Sequence, residues 1–506
     1  MLKPIDALLN RITMYRLVLY YLIFLLGSAF VLSLTDVLAY DPYALLFSTS
    51  FLLAVCALTN WVFARTFGIP TNVESTYITA LILALIITPL QSYNDLWFLG
   101  WASVLAIASK YTLAIKGKHP FNPVAFGVAL TYFAINQSAS WWVGNAQMLP
   151  FVLVGGLLVV RKLHRFDLVL TFGLTALATI LVASLVNAED FFTAVQRVVL
   201  YSPFLFFAFV LLTEPLTTPP TRKLRLVYAA LVGFLFTPVL HIGSFYTTPE
   251  LALLIGNVYS YIVSPKTRLV LTLKDRVRIA PDTYEFVFAL SRKLAFAPGQ
   301  YMEWTLGHED PDSRGNRRYF TLASAPTERD LRLGVKFYKN SSSYKKALGT
   351  MSTDVEIIAS QLAGDFVLPD DPRQKCVFIA GGIGVTPFRS MIKYLLDIHQ
   401  RRSIILFYTN KRVEDIVYKD VFDRAEKELG IRTIYTVTDA THGLPPNWQG
   451  LIGRITPQWI KKYVPGYPNY VFYLSGPPGM IDSFKDTLHQ LGIGDSNIKT
   501  DYFSGL

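Results

Sequence analysis

From Leu17 to Val263 the chain is a succession of apolar stretches, each closed by a short charged or proline-bearing turn. No other feature limits the fold as strongly. Backbone in lipid must satisfy its own N–H and C=O groups, and long unalternated apolar runs do so as helices. Ten candidate spans follow: Leu17–Leu34, Tyr43–Ala64, Ser75–Leu90, Leu96–Ile115, Val124–Ile135, Leu149–Val160, Phe166–Val186, Val198–Thr213, Leu224–His241 and Leu251–Val263. The fifth, sixth and tenth are short against the roughly 20 residues a span needs. Leu17–Leu34 follows a basic start without a small-residue cleavage site, so it reads as a first membrane helix rather than a signal segment.

Loop charges orient these spans. One set of turns carries Lys3, Arg11 and Arg16, then Arg65, Lys116 and Lys118, then Arg161, Lys162 and Arg165, then Arg222, Lys223 and Arg225, then Lys266 and Arg268. The other carries Asp36, Asp41, Asp95, Glu189, Asp190 and Glu250, with Arg197 as its clear cation. A positive-inside pattern of this kind predicts a multi-pass protein of a bacterial inner membrane with both termini cytoplasmic. Trp141 and Trp142 fall where an outer aromatic belt is expected.

Charge also sets the main boundary. Residues 1–265 hold 14 Lys+Arg and 10 Asp+Glu, which leaves 33 and 26 of the chain's 47 and 36 for residues 266–506. The excess of cations suits anionic lipid and a phosphate-bearing ligand, and no Lys/Arg-rich run points to nucleic acid. Cys56 and Cys376 fall in different halves, so neither a disulfide framework nor a four-thiolate iron–sulfur cluster is expected. The first half has only His119, His164 and His241, all at predicted helix ends, so haem between paired histidines is not expected either. No metal site is expected.

Two turns of the first half are unusual. In "GKHPFNP" (Gly117–Pro123), Asn122 is an N-cap candidate and Pro123 stands at the first helical position, with Lys116, Lys118 and His119 nearby. Two readings are open: an anion site at a positive helix end, or a capped cytosolic turn. "TEPLTTPP" (Thr213–Pro220) is a rigid loop with Glu214 at the bilayer edge, where an acid caps or pairs more often than it carries ions. "ESTYITALILALIITP", "KGKHPFNPVAFG", "LLTEPLTTP" and "ELALLIGNVYSYIV" together resemble, in order and spacing, a membrane family. It contains the D component of the Rnf electron-transport complex and the B component of the sodium-translocating NADH:quinone reductase. The resemblance implies flavin-linked electron transfer coupled to ion movement. It departs at one point. The family attaches FMN to a threonine about ten residues before the Thr-Asp/Glu-Pro loop, and Phe204 occupies that position here. No covalent FMN is expected, while a non-covalent flavin between helices stays open.

The second half has a different grammar. "RLVLTLKD", "TYEFVFAL", "QYMEWTL", "RRYFTLAS", "LRLGVKFY" and "DVEIIAS" are strand-length runs that suggest an antiparallel β-barrel. From Gln374 onward, "CVFIA", "SIILFYT", "RTIYTVT" and "YVFYLSG" alternate with helical stretches at Pro387–Gln400, Lys419–Leu429, Pro457–Tyr463 and Met480–Leu491. That order implies an α/β domain with a parallel sheet. The expected organisation is an α-helical membrane domain (1–265), a flavin-binding β-barrel (266–372) and a nucleotide-binding α/β domain (373–506).

Candidate site residues lie at the junctions. "IAGGIGVTP" brings Gly381, Gly382 and Gly384 to a strand–helix turn, where backbone amides approach a pyrophosphate, and Thr386 and Pro387 start the helix. It is not the strict G-x-G-x-x-G fingerprint, and tight turns are glycine-rich for other reasons. In "NRRYFTLASAP", Arg318 suits a phosphate, Tyr319 and Phe320 a flat ring, and Thr321 offers one hydroxyl; an edge strand with exposed aromatics is the plain alternative. Lys336, Ser342 and Ser343 precede a helix start, "SGPPGM" ends the last strand at Ser475, Gly476 and Pro477, and "DYFSGL" closes the sequence.

In this order the motifs resemble the ferredoxin–NADP reductase superfamily across residues 267–506. The resemblance implies FAD as cofactor and NADH or NADPH as substrate. Arg318 would hold phosphate, Phe320 would pack the ring, and Thr321 would meet flavin N5. Ser342 and Ser343 would hold the pyrophosphate, and Gly381–Pro387 with Gly476–Pro478 would seat NAD(P)H. Ser475 replaces a frequent cysteine, and Phe503 would shield the flavin face. Arg412 stands where a 2′-phosphate is read, or is a solvated loop charge. The expected function is a membrane-bound NAD(P)H oxidoreductase whose acceptor, a quinone or a redox protein, is unidentified. An electron-driven cation-translocating subunit and a membrane-anchored reductase for a soluble acceptor are the alternatives.

Overall fold

The structure is a computed structural model and describes residues 3–9, 12–67, 73–114, 120–237, 241–242, 245–265, 268–290, 293–309, 311–312, 315–440, 443–446 and 448–501. The chain divides into two compact units, one within residues 1–266 and one within 267–503.

The first unit is helical. Its described helices are α1 (Lys3–Leu9), α2 (Met14–Leu34), α3 (Pro42–Phe67), α4 (Val73–Ile86), α5 (Asp95–Thr112), α6 (Pro123–Ile135), α7 (Leu149–Leu163), α8 (Phe166–Asn187), α9 (Phe191–Leu200), α10 (Phe204–Phe206), α11 (Arg222–Phe236) and α12 (Pro249–Val263). A short hairpin, β1 (His241–Ile242) and β2 (Phe245–Tyr246), precedes α12. Among the described residues, α2, α3 and α8 are each long and apolar enough to cross a membrane. The pair Phe191–Leu200 and Phe204–Leu211 would make a fourth span, but it is bent by 63°. The single span expected over Val198–Thr213 is thus corrected. Pro203 lacks a backbone donor and disfavours helix at Ser202, so the chain breaks there.

The tryptophans also depart from expectation. Trp141 and Trp142 are buried rather than exposed in a lipid-facing belt. Trp142 Nε1 donates to Ala84 O at 2.9 Å and Ile87 O at 3.0 Å, and Trp141 N donates to Ile86 O at 2.8 Å. The last carbonyls of a helix have no partner within it, and here the Trp pair supplies one to the end of α4. Asn122 caps α6 as expected, its side chain accepting from Ala125 N at 3.0 Å. Its Nδ2 donates to Glu214 at 2.7 Å, so the acid of the Thr-Glu-Pro loop pairs with a helix cap. Lys116, Lys118 and His119 lie outside the described residues. Phe204 is buried in an aromatic cluster, 5.2 Å from Phe172 and 5.8 Å from Phe236 between ring centres.

The second unit contains two six-stranded sheets. The antiparallel one is built from β3 (Arg268–Ala280), β4 (Thr283–Phe288), β5 (Tyr301–Thr305), β6 (Arg317–Thr321), β7 (Leu331–Lys336) and β8 (Glu356–Ala363), in the order β6-β5-β8-β3-β4-β7. β3 is longer than its sequence run suggests. Register shifts after Leu273 and Arg278 bend it, so its first half pairs with β8 and its second with β4. The short helix α13 (Ser343–Thr350) follows β7.

The parallel sheet has β9 (Cys376–Gly381), β10 (Ile404–Asn410), β11 (Arg432–Val437), β12 (Leu451–Ile452), β13 (Val471–Ser475) and β14 (Ile498–Thr500), in the order β12-β11-β10-β9-β13-β14. β9 is buried along its whole length, as a central strand between helical layers requires. The helices are α14 (Thr386–Asp397), α15 (Lys419–Leu429), α16 (Pro457–Tyr463) and α17 (Pro478–Gln490). The chain winds from β9 to β12 on one side and returns to β13 on the other. The strand order therefore reverses between β9 and β13, and such a reversal opens a crevice at the carboxyl ends of the strands.

A buried ion pair ties the two sheets together. Arg389, on α14, donates to Ala323 O at 2.9 Å and to the Glu328 carboxylate, both in the loop after β6. Ser390 Oγ donates to Ser324 O at 2.7 Å beside it. Removing Arg389 leaves Glu328 with Arg332 and Ala325 N but costs the charge-assisted bonds, roughly 1.5–3 kcal/mol. Arg389→Leu is expected to lower the Tm of this unit by roughly 5 °C, measured by calorimetry; a shift within error would show that the pair holds nothing together.

Candidate functional site

Three junction strands end at one place. β6 ends at Thr321, β13 ends at Ser475, and Asp501 directly follows β14. Asp501 N donates to Leu474 O at 3.0 Å, which extends the β13–β14 ladder and sets its carboxylate beside Ser475. Ser475 Oγ donates to Asp501 Oδ2 at 3.1 Å, and Thr321 Oγ1 donates to the same oxygen at 3.5 Å. The structure thus brings together two hydroxyls predicted from sequence, one from each sheet, on an acid that sequence reasoning misses. Burial drives the Asp501 carboxyl up to about 7, against the two hydroxyl donors, which pull it down. Phe503 lies outside the described residues.

The glycine turn borders this point. Gly381 ends β9, residues Gly382–Val385 make one tight turn, and Thr386 and Pro387 open α14. A Cβ on Gly384 would come within 2.6 Å of Ser475 O and 2.7 Å of Gly476, so only glycine lets the two turns approach this closely. Gly382 has φ +54°, the left-handed region glycine enters without cost. Pro477 lies in the facing turn, where its ring would stand 3.2 Å from a Cβ on Gly381. Thr386 N already donates to Ile383 O and Pro387 has no N–H, so a pyrophosphate here would meet the amides of the glycine turn, at the positive end of the α14 dipole.

A second cradle forms at the start of α13. Arg318 is buried; its guanidinium donates to Gly315 O at 3.1 Å and reaches Asp312 Oδ1 at 3.3 Å. Ser343 N donates to Asp312 Oδ2 at 3.1 Å. Ser343 Oγ accepts from Asp312 N at 2.8 Å and lies 3.0 Å from His308 Nε2. Ser342 is the N-cap of α13, accepting from Lys345 N at 3.3 Å. One carboxylate is therefore clasped between a guanidinium and a helix N-terminus. Arg318, Ser342 and Ser343, the residues predicted to hold phosphate, lie around it. Tyr344 lies 5.2 Å beneath the Arg318 guanidinium and 6.1 Å from the Phe320 ring. Tyr319 donates its hydroxyl to Glu303 at 2.9 Å.

Two predicted residues are placed elsewhere. The Lys336 ammonium pairs with Asp415 at 2.9 Å, across to the parallel sheet. Arg412 follows β10, 3.3 Å from Glu414 and 3.8 Å from Asp439. Asp501 and Asp312 have no sequence signal beyond being acids near candidate residues; their meaning depends on strand pairing and loop closure.

Comparison with known proteins finds likeness in both halves of the chain. Residues 378–486 match the oxidoreductase NAD-binding domain model, and residues 142–268 match the NQR2, RnfD, RnfE family model. The chain is 24% identical over 216 residues to the flavohemoprotein of Oceanobacillus iheyensis, covering 42% of this chain and 52% of that protein. It is 24% identical to the xylene/toluene monooxygenase electron transfer component XylA of Pseudomonas putida, over 46% of this chain and 64% of the relative. Over a shorter stretch it is 31% identical to the F component of the Na(+)-translocating NADH-quinone reductase of Psychrobacter arcticus, covering 26% and 32%. It thus spans between half and two thirds of the length of the first two relatives. Among solved structures, Amycolatopsis cytochrome P450 reductase GcoB aligns over 47% of this chain and 70% of its own, at 24% identity and TM-score 0.41.

Proposed function

We propose that this chain is a membrane-bound flavoprotein oxidoreductase that oxidises NAD(P)H and delivers electrons to a membrane-associated acceptor. The observation that carries the reading is the meeting of Thr321 and Ser475 on Asp501, between the glycine turn and the Arg318–Ser343 cradle. In this reading residues 266–372 form the FAD domain and 373–506 the NAD(P)H domain. FAD held by these residues would supply hydride acceptance from NAD(P)H and one-electron release to the acceptor.

The chain's residues divide the remaining work. Arg318 and the α13 amide end, with Ser342 and Ser343, neutralise the FAD pyrophosphate. Phe320, on the same face of β6 as Arg318, would pack the ring system, while Tyr319 on the opposite face is held by Glu303. The Gly381–Pro387 turn, with Gly476 and Pro477, seats the nucleotide pyrophosphate at the α14 dipole. Thr321 and Ser475 connect the gap between the sheets to Asp501, which stores a proton there.

The first unit, in this proposal, crosses a bacterial inner membrane several times with both termini cytoplasmic. The loop-charge alternation and three described spans support this, as do the shorter apolar helices Val73–Ile86, Pro123–Ile135 and Pro249–Val263. Phe204 has no hydroxyl to form a phosphoester, so any flavin of this unit is non-covalent. Acid release of cofactor from the detergent-purified chain tests the reading. About one FAD per chain is expected in the supernatant, with no fluorescent protein band on a denaturing gel. A protein without flavin, or a fluorescent band, would refute it.

A further inference from the structure

Resting on that reading of the nucleotide site, we infer that the chain selects NADH over NADPH, through the carboxylates of Glu414 and Asp439 set around Arg412. The position is fixed by topology. In sheets of this winding the pyrophosphate lies over the first strand and the adenosine ribose is read at the end of the neighbouring second strand. β9 carries the glycine turn, β10 is its neighbour, and Arg412 stands two residues beyond the end of β10.

The charges there are already matched. Arg412 Nη1 donates to Glu414 Oε1 at 3.3 Å, and its Nε lies 3.8 Å from Asp439 Oδ2. The backbone holds this set in place: Arg412 N donates to Asp415 Oδ2 at 3.3 Å, and Asp439 N donates to Lys411 O at 2.9 Å. Lys336, which reaches this corner from the end of β7, is paired with Asp415 at 2.9 Å. Lys411 is exposed to solvent. Among the described residues of this corner, Arg412 and Lys336 are each paired with carboxylates. A 2′-phosphate carries close to two negative charges and would sit against Glu414 and Asp439. A 2′-hydroxyl is a donor, and a carboxylate is the acceptor it needs. A site that rejects one ligand by like charge while accepting the other by hydrogen bond uses both halves of specificity.

Equilibrium binding of NAD+ and NADP+ to the purified full chain, by isothermal titration calorimetry, tests this without relying on turnover. NAD+ is expected to bind at least ~20-fold more tightly, the scale of one like-charge juxtaposition. In Glu414→Ser/Asp439→Ser the NADP+ affinity is expected to rise about tenfold, and Arg412→Ala is expected to weaken NADP+ no more than NAD+. NADP+ binding as tightly as NAD+, or a selective loss of NADP+ in Arg412→Ala, would overturn the assignment while leaving the oxidoreductase reading intact. Binding of neither nucleotide would sink both.

Discussion

Arg318→Ala should come off the column nearly colourless. A charge-assisted hydrogen bond to a buried anion is worth about 1.5–3 kcal/mol, which is about tenfold to a hundredfold in affinity. Arg318 itself is 7% exposed, so its guanidinium has few alternatives to the cradle for its hydrogen bonds. A control separates loss of the clasp from loss of the fold. Asp312 occupies the same cradle, bridging Arg318 and Ser343 N. Asp312→Ala removes the competitor and should retain FAD at least as well as the parent. If Arg318→Ala kept full FAD, or if Asp312→Ala lost it to the same degree, the cradle would not be a flavin phosphate site.

Asp501→Asn should slow reduction of the flavin by NADH about tenfold, the scale of one lost hydrogen bond, because the carboxyl positions Ser475 and Thr321. It should also change how stability responds to pH. The carboxyl rests near 3.8 unperturbed and is raised to about 7 in the folded chain. Between those values the native state holds a proton that the unfolded chain has released. Stability therefore falls as pH rises from about 4 to 7, by up to about 4 kcal/mol, and is level above that. The parent should lose Tm over this window, and Asp501→Asn, which cannot ionise, should lose much less. Equal slopes in the two proteins would show that Asp501 is ionised throughout. Rapid-mixing kinetics of the variant at pH 6 and 8 would then decide whether its carboxyl serves the reaction at all.

Motif order makes much of this site legible. The strand runs of the second half, the glycine turn and the Arg-x-aromatic-Thr stretch all fall where alternation and turn chemistry put them, because each rests on local periodicity. What stays hidden depends on partners distant in sequence. Asp501 gains its role only when β14 pairs with β13, which places it beside Ser475 and, 180 residues upstream, Thr321. Lys336 looks like a phosphate ligand from its neighbours on the chain, yet it is drawn to Asp415, 79 residues on. In the first half, Ser202-Pro203 carries a local break signal that hydropathy alone overrides. Trp141 and Trp142 have the composition of a belt, but the unpaired carbonyls at the end of α4 claim the Trp142 indole and the Trp141 amide.

The most direct test is an anaerobic titration of the detergent-purified full chain with NADH, followed through the flavin's visible absorbance. Stoichiometric bleaching is expected, one NADH per FAD, with recovery of colour when a quinone or ferricyanide is added. A chain that carries FAD yet keeps its colour under excess NADH and excess NADPH would contradict this expectation, because the two sheets would then meet without performing the transfer their junction is assigned.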